Sequence, residues 1–588
     1  DAAGRQIYRS YPYGGGVSEV GSTTAFDGLG RATLVTKPDG STIGMSYLGG
    51  GTSVQVAEQV SATETHTTTR TFQAFGDPDD ARLVQFTDAS GVAWGYQYDG
   101  AGNVTLLDTV ATTTARRMWS YDARNFVASE VHPESGVTTY QHDNMGNVTL
   151  KTDARGTAVA YAYDADDRLV SVNAPGTDDD ITSTYNALGQ LVSLSSAAVQ
   201  TTFAYDGSGR PIARTDVMSG RTFTQTFAYD SEDRLTTHTY PSGRKVLYTY
   251  GAQGRVTAVK TQIGTGAEKT LASGLSYTGA GALAGFQFGN GLAQGLTFDT
   301  RQRPTGWTSG PLSLTYTYDF IGNVKAINDA RQGFSSTYTY DVLDRLMGVF
   351  GYGATSYTYD AAGNRLTAGN VTYAYQCCGT NRLASVSGGI TGTFTYSANG
   401  NVLTDPDGLT YSYTAANLMK TSTLGGNTTT YKYGGDGFRH IKVKPNGVEQ
   451  YAIRAGSNLI AEYESVGTGT TITREYVYLG ATLLAALEPQ TAAPPALSVA
   501  ITTPTSGQGL TYGQTITLTA TVSVPQGTTI ARVEYYNDGF YVGQATSGTY
   551  PVSFQNVSMA VGSHTLLARV VTTDNHAVTS APVSWTAQ

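Results

Sequence analysis

A phrase that keeps returning constrains this chain more than any other feature. It reads aromatic, any residue, Tyr-Asp, two residues, Gly, Asn or Arg, then an apolar residue. Good copies lie at residues 96–104, 161–169, 203–212, 227–235, 316–324, 338–346 and 357–366, with weaker copies at 26–32, 141–148 and 248–256. Successive Asp or Asp-equivalent positions are about 20 to 22 residues apart, a period that points to stacked repeats rather than a globular enzyme domain.

The unit at 316–324 shows what each repeat must be. Tyr316 and Tyr318 alternate with Thr315 and Thr317, the period of a strand with one buried face. Asp319, Gly322 and Asn323 then supply turn chemistry: Asp can bond the backbone two residues on, and Gly accepts positive φ. The same structural positions recur as Tyr98, Asp99, Gly102 and Asn103; Tyr163, Asp164 and Arg168; Tyr205, Asp206, Gly209 and Arg210; and Tyr359, Asp360, Gly363 and Asn364. A second turn follows about ten residues later, as at Pro38-Asp39-Gly40, Pro241-Ser242-Gly243 and Pro445-Asn446-Gly447. Two short strands and two tight turns per unit predict a long antiparallel ribbon. The 40 Tyr, 70 Gly and low charged fraction of 14% agree, and no stretch sustains a helical period. The most helix-like run, 481–488, is short and reads as strand.

At 588 residues the chain is too long for one core, and repeats resolve this because each unit needs only its neighbours. A net charge of −9 argues against nucleic acid and anionic membrane partners, and no apolar run is long enough to insert in a bilayer. Asp1-Ala2-Ala3-Gly4-Arg5 reads as the turn half of a repeat, so the chain is expected to begin inside an array. The two cysteines, Cys377 and Cys378, are adjacent; free thiols are expected, with a vicinal disulfide or a metal site as alternatives. Residues 1–488 are expected to form the array, 489–495 a Pro-rich linker, and 496–588 a separate domain. There, short alternating strands and the turn Asn537-Asp538-Gly539 predict an Ig-like β-sandwich without a disulfide.

The Tyr-Asp-x-x-Gly-Asn/Arg phrase at this spacing resembles the YD-repeat, or RHS-repeat, family over about four-fifths of the chain. The segments Asp436-Gly437-Phe438-Arg439 and Tyr476-Val477-Tyr478-Leu479-Gly480 look like the end of bacterial arrays of this kind. The tail resembles bacterial Ig-like modules of secreted and surface proteins. The resemblance implies an all-β hairpin ribbon spiralling into an open or hollow shell. In polymorphic toxins such a shell encloses a toxin released by self-cleavage; in teneurin-like relatives it is part of an adhesion ectodomain. The self-cleaving members carry Asp-Pro-x-Gly-Leu. Asp405-Pro406-Asp407-Gly408-Leu409 has those letters, but repeats continue past it, and it reads as a hairpin turn.

Geometry bounds what the array encloses. About 22 hairpins, or 44 strands roughly 4.8 Å apart, give a ribbon on the order of 200 Å long. A wall around a guest of about 100 residues needs a circumference of roughly 150 Å, so the ribbon is expected to complete little more than one circuit. Chemistry adds little. The nucleophile-elbow, phosphate-loop and zinc-helix motifs are absent. The seven histidines read as solvated strand residues, and Asp178-Asp179-Asp180 as a solvated loop rather than a calcium site. No catalytic residue, cofactor or metal is expected. The expectation is a non-catalytic bacterial scaffold, secreted or at the cell surface, that assembles with itself or binds other surface proteins. The rivals are a toxin-encapsulating shell with polypeptide cargo and a glycan-binding protein.

Overall fold

The computed structural model describes residues 1–11, 19–75, 81–109, 116–331, 333–377, 379–488, 497–511, 513–524, 529–555, 561–573 and 576–588. The 489–495 segment and Cys378 lie outside them. The residues fall into two compact units: one of Asp1–Ile327, Ser336–Ile472 and Tyr476–Ala486, the other of Asn328–Ser335, Thr473–Glu475 and Leu487–Gln588.

The first unit is a β-meander in which strands pair antiparallel with the next in sequence. Val127–His132, Gly136–His142, Val148–Thr152 and Ala158–Tyr163 follow one another in this way. Sheets of 36 and 10 strands result. A 3-10 turn at Gly49–Gly51 is the only helical element among the described residues. Strand Leu312–Tyr318 shows why the sequence folds so: toward its end Tyr316 and Tyr318 are half-buried while Thr315 and Thr317 are exposed. Residues 481–488 do contain a strand, Thr482–Leu487.

Every unit has two turns, so the ribbon has two edges: one of Tyr-Asp turns, the other of the intervening turns. Contacts at large sequence separation show that the ribbon winds back on itself. Asp39 meets Arg301, Glu134 meets Arg382, and Ser196 meets Tyr433, at separations of 262, 248 and 237 residues. One circuit, here called a coil, therefore takes about 240–260 residues, and the array makes two coils. The expectation of little more than one circuit was wrong. Between the Glu134 turn and the Arg382 turn lie 23 strands, which at ~4.8 Å spacing is a contour of only about 110 Å. The ribbon curves more tightly because each Tyr-Asp turn introduces a bulge, as between Ala162 and Tyr163 and between Ala204 and Tyr205. Bulges bend and twist the strand that holds them.

Much of the ribbon is a single layer with few fully buried side chains. A packed junction forms where residues 199–275 face residues 440–477. Met218, Phe223, Val246, Val259, Ile441, Tyr451, Ile453 and Val477 are buried there, and the Phe223 ring packs on Tyr451 and Tyr463 with centroids 5.4 and 5.0 Å away.

The second unit contains a β-sandwich. Ser498–Thr503, Thr515–Ser523 and Val552–Gln555 make one sheet. Gln508–Leu510, Val583–Ala587, Gly562–Thr572, Ile530–Asn537 and Phe540–Ala545 make the other, with Ala577–Thr579 at its side. Trp585, Leu518, Tyr535, Leu566 and Val570 fill the space between the sheets, and the Trp585 indole donates to the Asn537 side chain at 2.7 Å.

Candidate functional site: repeat turns and the seam between coils

In the 96–104 unit the Asp99 amide donates to the Asn103 carbonyl and the Gly102 amide to the Asp99 carbonyl, at 3.0 and 3.1 Å. Gly102 has φ 92°, and register slips by one residue between Gln97 and Tyr98. This is a three-residue hairpin loop, a type I turn followed by a left-handed residue in a bulge. Asp99 holds it together: Oδ1 accepts the Ala101 and Asn103 amides, and Oδ2 accepts Asn103 Nδ2. Asp164, Asp206, Asp319 and Asp360 accept bonds from the fifth turn residue in the same way, from Arg168, Arg210, Asn323 and Asn364. At Asp99, Asp164 and Asp206 these donors hold the carboxyl below its usual range, led by the Asn103 side chain, the Arg168 side chain and the Arg210 amide respectively. Where the left-handed position is not Gly it is polar, as at Asp167, Asp233 and Gln302.

The tyrosine ties each hairpin to the one before it. Tyr98, Tyr163, Tyr205, Tyr318 and Tyr359 donate their hydroxyls to the carbonyls of Leu83, Val148, Leu191, Pro304 and Leu346, at 2.6–3.1 Å. Burial raises the phenol pKa at the first four, which keeps them donors. The fifth turn residue ties each hairpin to the next. Asn103 reaches Asn125, Asn323 reaches Asp344, and Asn364 reaches Asn381. Arg168 and Arg210 lie over the rings of Tyr185 and Tyr229, a cation–π contact. The predicted residues therefore form a ladder along one edge and do not converge on a single site.

The residues that join the coils were not foreseen. They sit at the third position of the second coil's Tyr-Asp turns. Arg301 donates to Asp39 at 3.0 Å, Asn399 to Asp153, and the Ala416 amide to Asp179 at 2.7 Å. Asp436 accepts from Arg214 at 3.3 Å. Arg382, in a less regular turn, donates to the Glu134 carbonyl. The seam thus sets the second coil's Tyr-Asp edge against the first coil's opposite edge. Arg214 also pairs with the fully buried Asp216, which accepts from Thr201. Burial would raise the Asp436 pKa, but the hydrogen bond and charge of His440, with Arg214, take it down to about 2.

Two expectations fail here. His238, His440 and His564 are buried, not solvated. His440 places both ring nitrogens against acceptors, Asp436 and the Ala452 carbonyl. Burial lowers the His238 pKa to about 4, and its Nε2 contacts Gln225 Oε1 at 3.0 Å. The 178–180 loop is solvated only at Asp178. Asp178 pairs with Lys420, Asp179 is buried against Ala416, and Asp180 accepts the Ala174 amide. The three carboxylates diverge, and no group of three metal-ligating residues occurs among the described residues. An open crevice of about 270 Å³ lies on the seam beside Asp153, Asp178 and Asp179, each of whose carboxylates already has a protein partner. Asp405–Leu409 closes a hairpin, with the Asp405 amide donating to the Leu409 carbonyl. Cys377 is exposed. No helix among the described residues is long and apolar enough to cross a membrane.

A ribbon of Tyr-Asp hairpins wound on itself is the fold of an RHS shell. The RHS Repeat model matches residues 76–115, 121–158, 146–179 and 229–264, and the Bacterial Ig domain model matches 498–568; the chain is built of RHS repeats followed by a bacterial Ig domain. It is similar to the tRNA3(Ser)-specific nuclease WapA of Bacillus spizizenii, 29% identical over 194 residues that cover 32% of this chain and 8% of that protein. Among solved structures, it is similar to TcdB2-TccC3-Cdc42 with a TM-score of 0.66 at 16% identity, covering 93% of this chain and 30% of that one. It is also similar to the Photorhabdus luminescens Tc holotoxin pore, TM-score 0.62 at 16% identity, covering 92% and 30%. The chain spans under a tenth of the curated relative and about a third of these solved chains, and the structural likeness bears on the fold.

Proposed function

We propose that this chain is a non-catalytic wall: an RHS shell scaffold, extracellular or secreted, whose work is to enclose or present other polypeptides. The observation that carries this reading is the seam. Side chains from turns along the second coil are spent on the first coil, which turns an open ribbon with association-prone edges into a continuous wall. The seam carboxylates and the buried His238 and His440 that would otherwise suggest chemistry are engaged in that wall. On this reading Asp405–Leu409 stays uncleaved. Limited proteolysis with intact-mass analysis tests the wall: resistance within residues 116–331 and 379–486 is expected. Ready cleavage inside the 150–220 or 380–450 segments would sink it.

A second reading, a shell around polypeptide cargo, draws on the likeness to TcdB2-TccC3 and the Tc holotoxin pore. It predicts internal density not accounted for by these residues in electron microscopy of the native assembly. A fibre or adhesin role, at a bacterial cell surface and with glycans or surface proteins as partners, predicts regular filaments or binding to such surfaces.

A further inference from the structure

The seam crevice keeps three polar groups that the wall does not use. Its floor crosses consecutive first-coil strands, Val148–Thr152, Ala158–Tyr163, Leu169–Asn173 and Ile181–Tyr185. Across that floor Lys151 pairs with Val159, Tyr161 with Val172, and Val172 with Ile181. Second-coil turn residues 415–418 and 434–437 form the opposite side. The latter turn comes close because Gly435 has no side chain: a Cβ there would stand 2.8 Å from Leu194 and 3.1 Å from Ile181. About 270 Å³ stays open between floor and turns.

The unused groups sit at its two ends. At one end Lys151 has no carboxylate partner among the described residues, and its ammonium lies 6.0 Å from the Tyr140 ring centroid. Tyr161, two residues beyond Val159, is diagonal to Lys151 on the same face, within reach of a long side chain. Its hydroxyl has no partner among the described residues either, and burial raises its pKa, so it stays a donor. At the other end Asp179 is only 9% exposed. Its Oδ2 accepts the Ala416 amide at 2.7 Å, while Oδ1 accepts nothing among the described residues. The neighbouring carboxylates are matched, Asp153 by Arg155 and Asp178 by Lys420. Two donors thus face one acceptor across an apolar floor.

The span selects the ligand. From the strand of Lys151 to that of Ile181 is three steps of ~4.8 Å, roughly 14 Å. A free amino acid carries both charges on one carbon and reaches one end only. About four extended residues cover the distance, and charges in the wrong order would leave a buried carboxylate facing a carboxylate, which is costly.

We propose that this crevice binds an extended segment of another polypeptide, about four residues long, with an acidic side chain on Lys151 and Tyr161, apolar residues in the middle and a basic side chain on Asp179. This rests on the wall reading above and specifies what part of a partner polypeptide the wall holds.

The test is fluorescence anisotropy of the full chain with labelled, capped peptides Gly-Glu-Leu-Val-Lys-Gly and Gly-Lys-Leu-Val-Glu-Gly. The first is expected to bind at least about tenfold tighter. Lys151→Glu is expected to lose that preference and to favour a peptide with Lys at both charged positions, a gain that an unfolded variant cannot show. Tyr161→Phe, which keeps the ring, is expected to weaken only the peptide with Glu at its first charged position. No binding at millimolar peptide, no preference between the two charge orders, or a Lys151→Glu variant that binds as the wild type does would each overturn the proposal. Free leucine competing as well as the peptide would overturn it too, because one end would then suffice. A wild type that ignores the peptides but still resists proteolysis removes the site and leaves the wall reading standing; a freely cleaved ribbon removes the wall itself.

Discussion

The thin ribbon and the packed junction are made of the same repeats but are held by different physics. Around Tyr163 the ribbon has almost no buried core. Its order comes from a carboxylate clamping a turn, a phenol bonding the preceding hairpin and an Arg covering the following ring. Around Phe223 two coils press together, and side chains such as Val246 and Ile453 vanish from solvent. The first kind of stability is local and divisible among units; the second is shared over more than 200 residues of sequence. A repeat can thus be sufficient for a wall and still leave the closure of that wall to a few strands.

The sharpest way to break this contrast is to cut into the junction. Phe223→Ala is expected to cost about 3–5 kcal/mol and to loosen residues 199–275 and 440–477 together in hydrogen exchange. If protection fell only in the 221–229 hairpin, the junction would not be cooperative.

Acid separates the two regions next. His238 has its folded pKa depressed from 6.5 to about 4 by burial, so its contribution is present above pH 6.5 and lost as pH falls toward 4. The loss is about 3 kcal/mol, confined to the junction. The turn carboxylates Asp99, Asp164 and Asp206 are also depressed, from 3.8, so their support disappears only below that value. Urea unfolding between pH 7 and 4 should therefore show the junction weakening first, and His238→Gln should remove most of that slope. A uniform response of both regions would contradict the division.

Smaller effects sharpen the wall side. Tyr205→Phe removes the bond to the Leu191 carbonyl and is expected to cost about 1 kcal/mol, with exchange rising mainly in the 191–205 hairpin. Gln302→Gly relieves a non-glycine residue at φ 63° and is expected to stabilise by up to about 1 kcal/mol, read as a small rise in the midpoint of thermal unfolding.

The ladder was legible because everything it needs is local. Asp99 and Asn103 are four residues apart, and Tyr98 reaches a carbonyl 15 residues back. Such contacts leave a period in the chain, and the Ig-like tail declares itself through a change in that period. What hid was whatever depends on residues more than 200 apart. Arg301, Asn399 and Asp436 look like ordinary turn residues, and only the coil that passes beside them makes them seam residues. His238 and His440 look like strand histidines, and only the packing of the two coils together buries them.

The sequence by itself therefore determined the hairpin, its two turn types, the ribbon and the tail domain, because hydrogen bonding and side-chain alternation act over a few residues. The tertiary structure alone decided how many strands complete a coil, which edge meets which, and where a core forms. Curvature accumulates from a small bulge at every repeat, and the residue it finally brings opposite lies some 240–260 positions away, beyond the reach of any local pattern.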